Sequence, residues 1–387
     1  MKIKSKKRGV YGTRYDVEAR GTRDARNLIR REMVAIGLNT DSEEQVWMAH
    51  GEMEALGRSF RALSNFFKRQ KGKEAVLWSP SVCFTVANNA ASDNGLIVEY
   101  IPTSDLLHQE ITAERIQTFL DERAKTPDIM FITPGDNPRA CSYNAENLRQ
   151  VLLKMKEINP EIVFIFDMAY MSMIPVEKAK ALIAVIQETG VDQRAIFAIS
   201  ESKRLARPGT RIGAAVIFNE ELKKVFQADT IRNYPGFSGE VDVLFRALSY
   251  IIPPETIAAY ISMLRQRQQA LLEVLRDLNP EGQYFKNLDL ISVPGYSKIN
   301  AEVLKQDVPL YLWVELQEGV SPFEIIKKLG IVGVPGSVFG DTGNHMRFSL
   351  GVVSTADILR KSPKTLARWG QDLVWSRTRD LESLLKL

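Results

Sequence analysis

Residues 194–213 read RAIFAISESKRLARPGTRIG. The run from Arg194 to Ser200 is almost continuously apolar, as expected of a strand covered on both faces, and Ser200, Ser202 and Lys203 crowd its carboxyl end. Asp128 to Thr133 (DIMFIT) and Glu161 to Phe166 (EIVFIF) repeat the pattern. Between these two, Leu148, Val151, Leu152, Met155 and Ile158 recur at three- and four-residue steps and give a helix one apolar stripe; Val176 to Thr189 supplies the next helix. Buried strands alternating with helices predict a parallel sheet covered by helices, joined by right-handed crossovers. In such sheets ligands gather beyond the carboxyl ends of the strands. The polar residues in those positions are Asn137, Asp167, Ser200, Ser202 and Lys203.

Further along, Pro254 to Leu278 reads as a long helix with proline in its first turn and Asn279-Pro280 at its end. From about Leu288 onward, strand-like runs such as Leu310 to Leu316 (LYLWVEL) mix with a helix over Pro322 to Leu329, which predicts a smaller α+β domain. The expected organisation is a short basic segment at 1–20, a large domain at 21–253, and a connecting helix with the small domain at 254–387. Apolar and charged fractions of 45% and 25% suit a soluble globular protein. The only cysteines, Cys83 and Cys141, are too few for a disulfide framework or a cysteine zinc site and suit a reducing, cytoplasmic setting. His50, His108 and His345 are scattered, without metal-ligand spacing, and argue against a metal site or a serine-histidine triad. No apolar run approaches the roughly 20 residues that span a bilayer, and the N-terminus lacks the apolar stretch of a signal peptide. The basic cluster Lys2, Lys4, Lys6, Lys7 and Arg8 reads as a solvated tail. Neither a nucleic acid nor a membrane is an expected partner.

Taken singly, the polar residues have ordinary readings: Lys203 a surface lysine, Asp167 a helix cap, Tyr170 a packed ring, Asn137-Pro138 a turn. Taken together, their order and local spelling resemble the class I/II aminotransferases, the aspartate aminotransferase-like members of the fold-type I pyridoxal-phosphate enzymes. Thr133-Pro-Gly-Asp-Asn-Pro138 resembles the family's asparagine-proline loop, and Phe166-Asp-Met-Ala-Tyr170 its aspartate and tyrosine motif. Ser200-Glu-Ser-Lys203 with Arg-Pro-Gly-Thr-Arg211 resembles the Schiff-base lysine signature, the most specific of the set. Val334-Pro-Gly-Ser-Val-Phe-Gly340 and Arg347-Phe-Ser349 resemble the C-terminal signature that ends on a carboxylate-binding arginine.

The resemblance implies an α/β fold-type I architecture, a mostly parallel central sheet flanked by helices with a smaller C-terminal α+β domain. It also implies pyridoxal 5'-phosphate as cofactor, an amino acid and a 2-oxo acid as substrates, and a homodimer. Lys203 would form the Schiff base and then move the α-proton. Asp167 would keep the ring nitrogen protonated. Asn137 and Tyr170 would bond the ring's phenolic oxygen, and Arg211, Ser200 and Ser202 would hold the phosphate. The helix start at His50-Gly51-Glu52-Met53 would add N–H groups to that phosphate site. Arg347, with Asn137, would take the substrate carboxylate.

Three departures qualify this. Glu52 and Met53 stand where small or hydroxyl residues are usual, and a Glu52 anion about 5 Å from the phosphate would be repelled by roughly 3 kcal/mol per unit charge, so its side chain is expected to point away. Val82 occupies the position that normally stacks an aromatic ring on the cofactor, with Phe84 as the substitute if the register shifts. Little chain precedes Tyr15 and Gly21, so the arm that helps cover the substrate is expected to be short. Arg232, in the loop Ile231-Arg-Asn-Tyr-Pro-Gly236, reads as a solvated loop arginine rather than a partner for an acidic substrate side chain. The expected function is amino transfer; alternatives are a lyase, decarboxylase or synthase on the same scaffold, or a non-catalytic binding protein derived from it.

Overall fold

Every side chain of the strand Val163–Asp167 is buried, and alternate residues enter two separate apolar layers. Val163 and Ile165 join Phe60, Leu63 and Phe131 on one face, while Phe164 and Phe166 join Met130, Leu152, Ile183 and Phe197 on the other. Both faces being dry is the reason these runs are apolar throughout rather than at every second residue. Phe164, Phe166 and Phe197 stack across neighbouring strands with centroids 5.9 and 5.3 Å apart. Each buried phenyl contributes about 1.5–3 kcal/mol by leaving water. The computed structural model describes residues 18–103, 110–123, 125–234, 236–286, 288, 290–293, 296–300 and 306–351.

The main sheet has seven strands: β1 (Val46–Ala49), β2 (Val76–Pro80), β3 (Ile97–Ile101), β4 (Ile129–Ile132), β5 (Val163–Asp167), β6 (Ala195–Ser200) and β7 (Gly213–Ile217). Their order is β1-β7-β6-β5-β4-β2-β3, with β7 antiparallel to both neighbours and the remaining pairs parallel. One face carries α2 (Glu52–Phe66), α3 (Thr85–Asp93) and α8 (Glu220–Asn233). The other carries α1 (Arg23–Ala35), α4 (Ala113–Asp121), α5 (Ala145–Ile158), α6 (Val176–Glu188) and α9 (Gly239–Ile251). The expected mostly parallel, helix-flanked sheet is therefore present. A four-residue helix, α7 (Glu201–Arg204), follows β6, and the predicted helix over Val176 to Thr189 stops at Glu188.

Because β7 runs backwards, its first residue lies level with the last residues of β6 and β1: Gly213 pairs with Ser200 on one side and Ala49 on the other. A Cβ at Gly213 would lie 2.5 Å from the Gly51 carbonyl carbon, 2.6 Å from Glu52 N and 2.7 Å from Ile199 O. Only a bare α-carbon lets the start of α2 settle onto these strand ends.

Beyond the sheet, α10 (Pro254–Asp277) leads to the smaller part. There Asn279 accepts from Tyr284 N at 2.7 Å and donates to Phe285 O at 3.0 Å, turning the chain after the helix. β8 (Leu290–Val293) pairs with β9 (Tyr296–Asn300), while β10 (Tyr311–Glu315), β11 (Val334–Pro335) and β12 (His345–Ser349) form a second small sheet beside α11 (Pro322–Leu329). Asp307 fastens this part to the large sheet's rim: it accepts from Ser142 N and Oγ at 2.6 Å each and from Lys178 Nζ at 2.8 Å. Cys83 N donates to Phe339 O at 3.1 Å, and Val308 N to Ala140 O at 2.8 Å. β10 and β12 are thereby held over the strand ends.

Gly213→Ala should lower stability by about 1–3 kcal/mol, since the atoms in the way are backbone and cannot swing aside. Urea unfolding midpoints of the two proteins measure it; equal midpoints would show that the approach of α2 tolerates a methyl group.

Candidate active site

A cavity of about 260 Å³ opens where β1, β5 and β6 end. Each wall has a local cause. Asp167 is the last residue of β5, and its Oδ1 accepts from Ala169 N at 3.0 Å, which turns the chain and delivers Tyr170 to the cavity. Ser200 ends β6 and caps α7 by accepting from Ser202 N at 3.3 Å; one turn of helix then places Ser202 and Lys203 on the same wall. Arg211, with φ +53°, precedes β7, and its guanidinium lies so close to Gly51 that a Cβ there would be 2.3 Å from Nη2. Gly51, at φ +86°, begins α2 with no side-chain cap. The first N–H groups of a helix have no partners within it. Two hydroxyls, a guanidinium and a helix start therefore suit an anion.

Asp167 is buried, and burial raises its carboxyl above the usual range against the opposing pull of a Glu52 hydrogen bond and the Lys203 charge. The Lys203 ammonium lies 5.7 Å from the centre of the Tyr170 ring. The Tyr170 hydroxyl is 3.1 Å from that of Tyr311, and burial, with Tyr311 beside it, holds the phenol well above its ordinary range, so it stays protonated.

Glu52 does not point away. Its side chain is 9% exposed, lines the cavity and hydrogen-bonds the Asp167 carboxylate. Burial pushes the Glu52 carboxyl well above the usual carboxylate range, the Asp167 charge adds to this, and Lys203 pulls the other way. Desolvation at the helix start favours the neutral acid, so the repulsion expected of an anion there is relieved. Its Oε1 is buried without a hydrogen-bond partner.

The opposite wall belongs to the small sheet. Arg347 on β12 donates from Nη1 to Asn137 Oδ1 at 2.5 Å, and its guanidinium lies 4.3 Å over the Tyr311 ring and 4.6 Å over Phe339. Its buried Nε has no partner, and burial lowers its pKa. A cation on aromatic faces with an unspent N–H is suited to a carboxylate. Beneath Asn137, Asp136 and Arg139 form a fully buried ion pair that fixes the loop, whose Asn137-Pro138 bond is cis.

Val82 is buried but is not among the lining residues; Phe84 is. Ser81 N is tied to Ile101 O at 2.9 Å and Cys83 N to Phe339 O, which turns Val82 into the protein and leaves Phe84, the residue before α3, facing the cavity. Arg232 lies elsewhere, at the end of α8 beside a surface depression between α2 and α8. His345 bonds Asp341 at 2.9 Å and stacks on Trp313. Tyr15 and His108 fall outside the described residues. Among the described residues no cluster of histidine, cysteine and carboxylate side chains could hold a metal ion. Tyr311 is the lining residue that sequence reasoning missed: in LYLWVEL it is one more large residue of a buried strand.

The family model described as Aminotransferase class I and II matches residues 19–360, and the chain belongs to that family. The LL-diaminopimelate aminotransferase of Protochlamydia amoebophila is 27% identical over 306 residues, covering 74% of this chain and 69% of that protein. That of Aquifex aeolicus is 26% identical over 237 residues, covering 60% and 54%. The chain thus spans between about half and two thirds of the length of these curated relatives. Solved structures share its fold: an aminotransferase from Mycobacterium tuberculosis (TM-score 0.68, 17% identity, 92% of this chain and 84% of that one). A probable N-succinyldiaminopimelate aminotransferase from Thermus thermophilus is similar (TM-score 0.66, 19% identity, 92% and 86%).

The start of α2, on which the cavity depends, is fastened by His50. Its backbone N–H donates to Glu54 Oε2 at 2.6 Å, its Nδ1 lies 3.0 Å from the same oxygen, and Nε2 accepts from Ser238 N at 3.1 Å. The ring is therefore a neutral Nδ1–H tautomer that ties α2 to the segment before α9, not a cavity residue. Burial works to raise the Glu54 carboxyl, but His50 and the fully buried Arg58 overcome it and hold Glu54 at about 2. A depressed carboxyl contributes stability above its unfolded value near 4.5, and loses it as pH falls toward about 2. Glu54→Gln should melt below the wild type at neutral pH and show a shallower loss of Tm over that acid range. Parallel Tm–pH curves would remove this role from Glu54.

Proposed function

We propose that this member of the class I and II aminotransferases holds pyridoxal 5'-phosphate in the cavity and moves an amino group between an amino acid and a 2-oxo acid. The observation that carries the reading is one cavity lined by a lysine amine, a buried carboxyl, an anion cradle and an aromatic-backed arginine. The donor set suits the cofactor at both ends: Arg211 packed on Gly51 beside Ser200 and Ser202 for its phosphate, and the unspent Arg347 Nε for a substrate carboxylate. When bound, pyridoxal phosphate supplies an aldehyde that condenses with amines and a ring that takes up electrons from the α-carbon.

Within that frame the side chains divide the work. Lys203 would hold the cofactor through its amine and would move a proton at the substrate α-carbon. Asp167, buried at the end of β5, would favour the protonated form of the ring nitrogen. Asn137, whose Oδ1 is taken by Arg347, has its N–H groups for the ring's phenolic oxygen, and Tyr170 supplies an O–H there. Arg347 orients the substrate by its carboxylate, and Phe84 covers the cavity. With two relatives named LL-diaminopimelate aminotransferases, diaminopimelate is the first amino donor to test.

A homodimer belongs to the same reading. Val243, Leu244, Ala247, Tyr250 and Ile251 share one face of α9, with Tyr250 90% and Ile251 69% exposed, and a second copy of the chain would cover that stripe. A cytoplasmic setting suits the two buried free thiols, and no helix among the described residues is long and apolar enough to cross a membrane. Glu52 favours a second reading, a changed reaction on the same scaffold, which product analysis with and without a 2-oxo acid separates.

The protein reconstituted with pyridoxal phosphate should show a Lys203-dependent cofactor absorbance band that shifts with an amino donor and returns with a 2-oxo acid. Lys203→Ala should lose the band and roughly 10²–10⁴-fold or more in kcat. Arg347→Ala should raise KM for the amino acid by roughly 10–100-fold with a smaller change in kcat. Absence of any band at saturating cofactor would overturn the assignment.

A further inference from the structure

Glu52 is the one acid in the cavity that the proposed chemistry leaves without a task. It stands on the first turn of α2, nine-tenths buried, with Oε1 lacking any partner and the rest of its carboxyl turned to Asp167. The groups that face it are Asp167 and Tyr170 from β5 and the turn after it and Lys203 from α7, while Arg211 lines the same cavity against Gly51. On its own helix Glu54 is spoken for by His50 and Arg58. Lys203 is the cation that acts on Glu52 most directly, and it is the residue that cofactor attachment would remove as a charge.

We propose that Glu52 sets the pH range over which the site loads an anionic cofactor. As a neutral acid turned to Asp167 it leaves the cavity one carboxylate; as an anion it adds a second negative charge to the cavity that takes the anionic cofactor, and binding weakens. The inference rests on the cofactor assignment above. Burial supports it, because a dry carboxyl gives up its proton only well above the ordinary range, where loading is wanted. Loading from the ionised state then takes up one proton at Glu52. By linkage, the dissociation constant rises about tenfold per pH unit once Glu52 ionises in the empty site.

The test is a titration of the full-length protein with pyridoxal phosphate, read by absorbance and intrinsic fluorescence from acid to alkaline pH, for wild type, Glu52→Gln and Glu52→Ala. Phosphate ionisation affects all three alike, so the difference between curves reports Glu52 together with its charge coupling to Lys203. The expected result is affinity equal in wild type and Glu52→Gln at the acid end, with the wild type weakening by up to about tenfold per pH unit more steeply above it. Glu52→Ala should follow the Gln curve and covers the case in which Glu52→Gln does not fold. Parallel curves for wild type and both variants would overturn the proposal while leaving the cofactor assignment intact. Failure of all three to bind would overturn the assignment itself, and this inference with it.

Discussion

The close approach of α2 to the ends of β6 and β7 is the constraint on which the rest of the site depends. It exists because β7 runs against its neighbours, so that Gly213 lies between Ser200 and Ala49, and because Gly213 carries no side chain. Once α2 starts there, its unpaired N–H groups, the hydroxyls of Ser200 and Ser202 and the Arg211 guanidinium share one corner. The same approach buries Glu52, whose side chain faces the strand ends, while Met53 and Glu54 of the same turn stay partly exposed.

Exclusion of water then governs the electrostatics. Asp167 and Glu52 would each be anions in water; in the dry cavity burial raises both carboxyls, with the Lys203 charge pulling the other way. Tyr170 remains a phenol for the same reason. On the far wall Arg347 keeps its charge by lying on two aromatic faces and bonding Asn137. The small domain is part of the cavity rather than an appendage to it, because Asp307 and the backbone bonds at Cys83 and Val308 fix β10 and β12 over the strand ends.

Much of this was legible in the chain. The apolar runs at Asp128–Thr133, Glu161–Phe166 and Arg194–Ser200 mark strands buried on both faces, and the residues after them, Asn137, Asp167, Ser200, Ser202 and Lys203, do lie at or beside the cavity. Local periodicity suffices there because strand and site are adjacent in sequence. Tyr311 was not legible: it meets Tyr170 across 141 residues, and nothing in LYLWVEL marks one ring as facing a cavity. Phe84 was distinguishable from Val82 only through bonds to Ile101 and Phe339, which lie far away in the chain.

The sequence by itself determined the layered α/β architecture, the strand ends where polar residues collect, and the motifs that resemble the aminotransferases. Only the tertiary structure decided that Glu52 turns inward, that it is an acid rather than an anion, and that Arg347 is backed by Tyr311 and Phe339. The physical reason is that helix and strand follow from contacts a few residues apart. Charge state and side-chain direction follow from which distant segments remove the water, and those segments are brought together only by the fold.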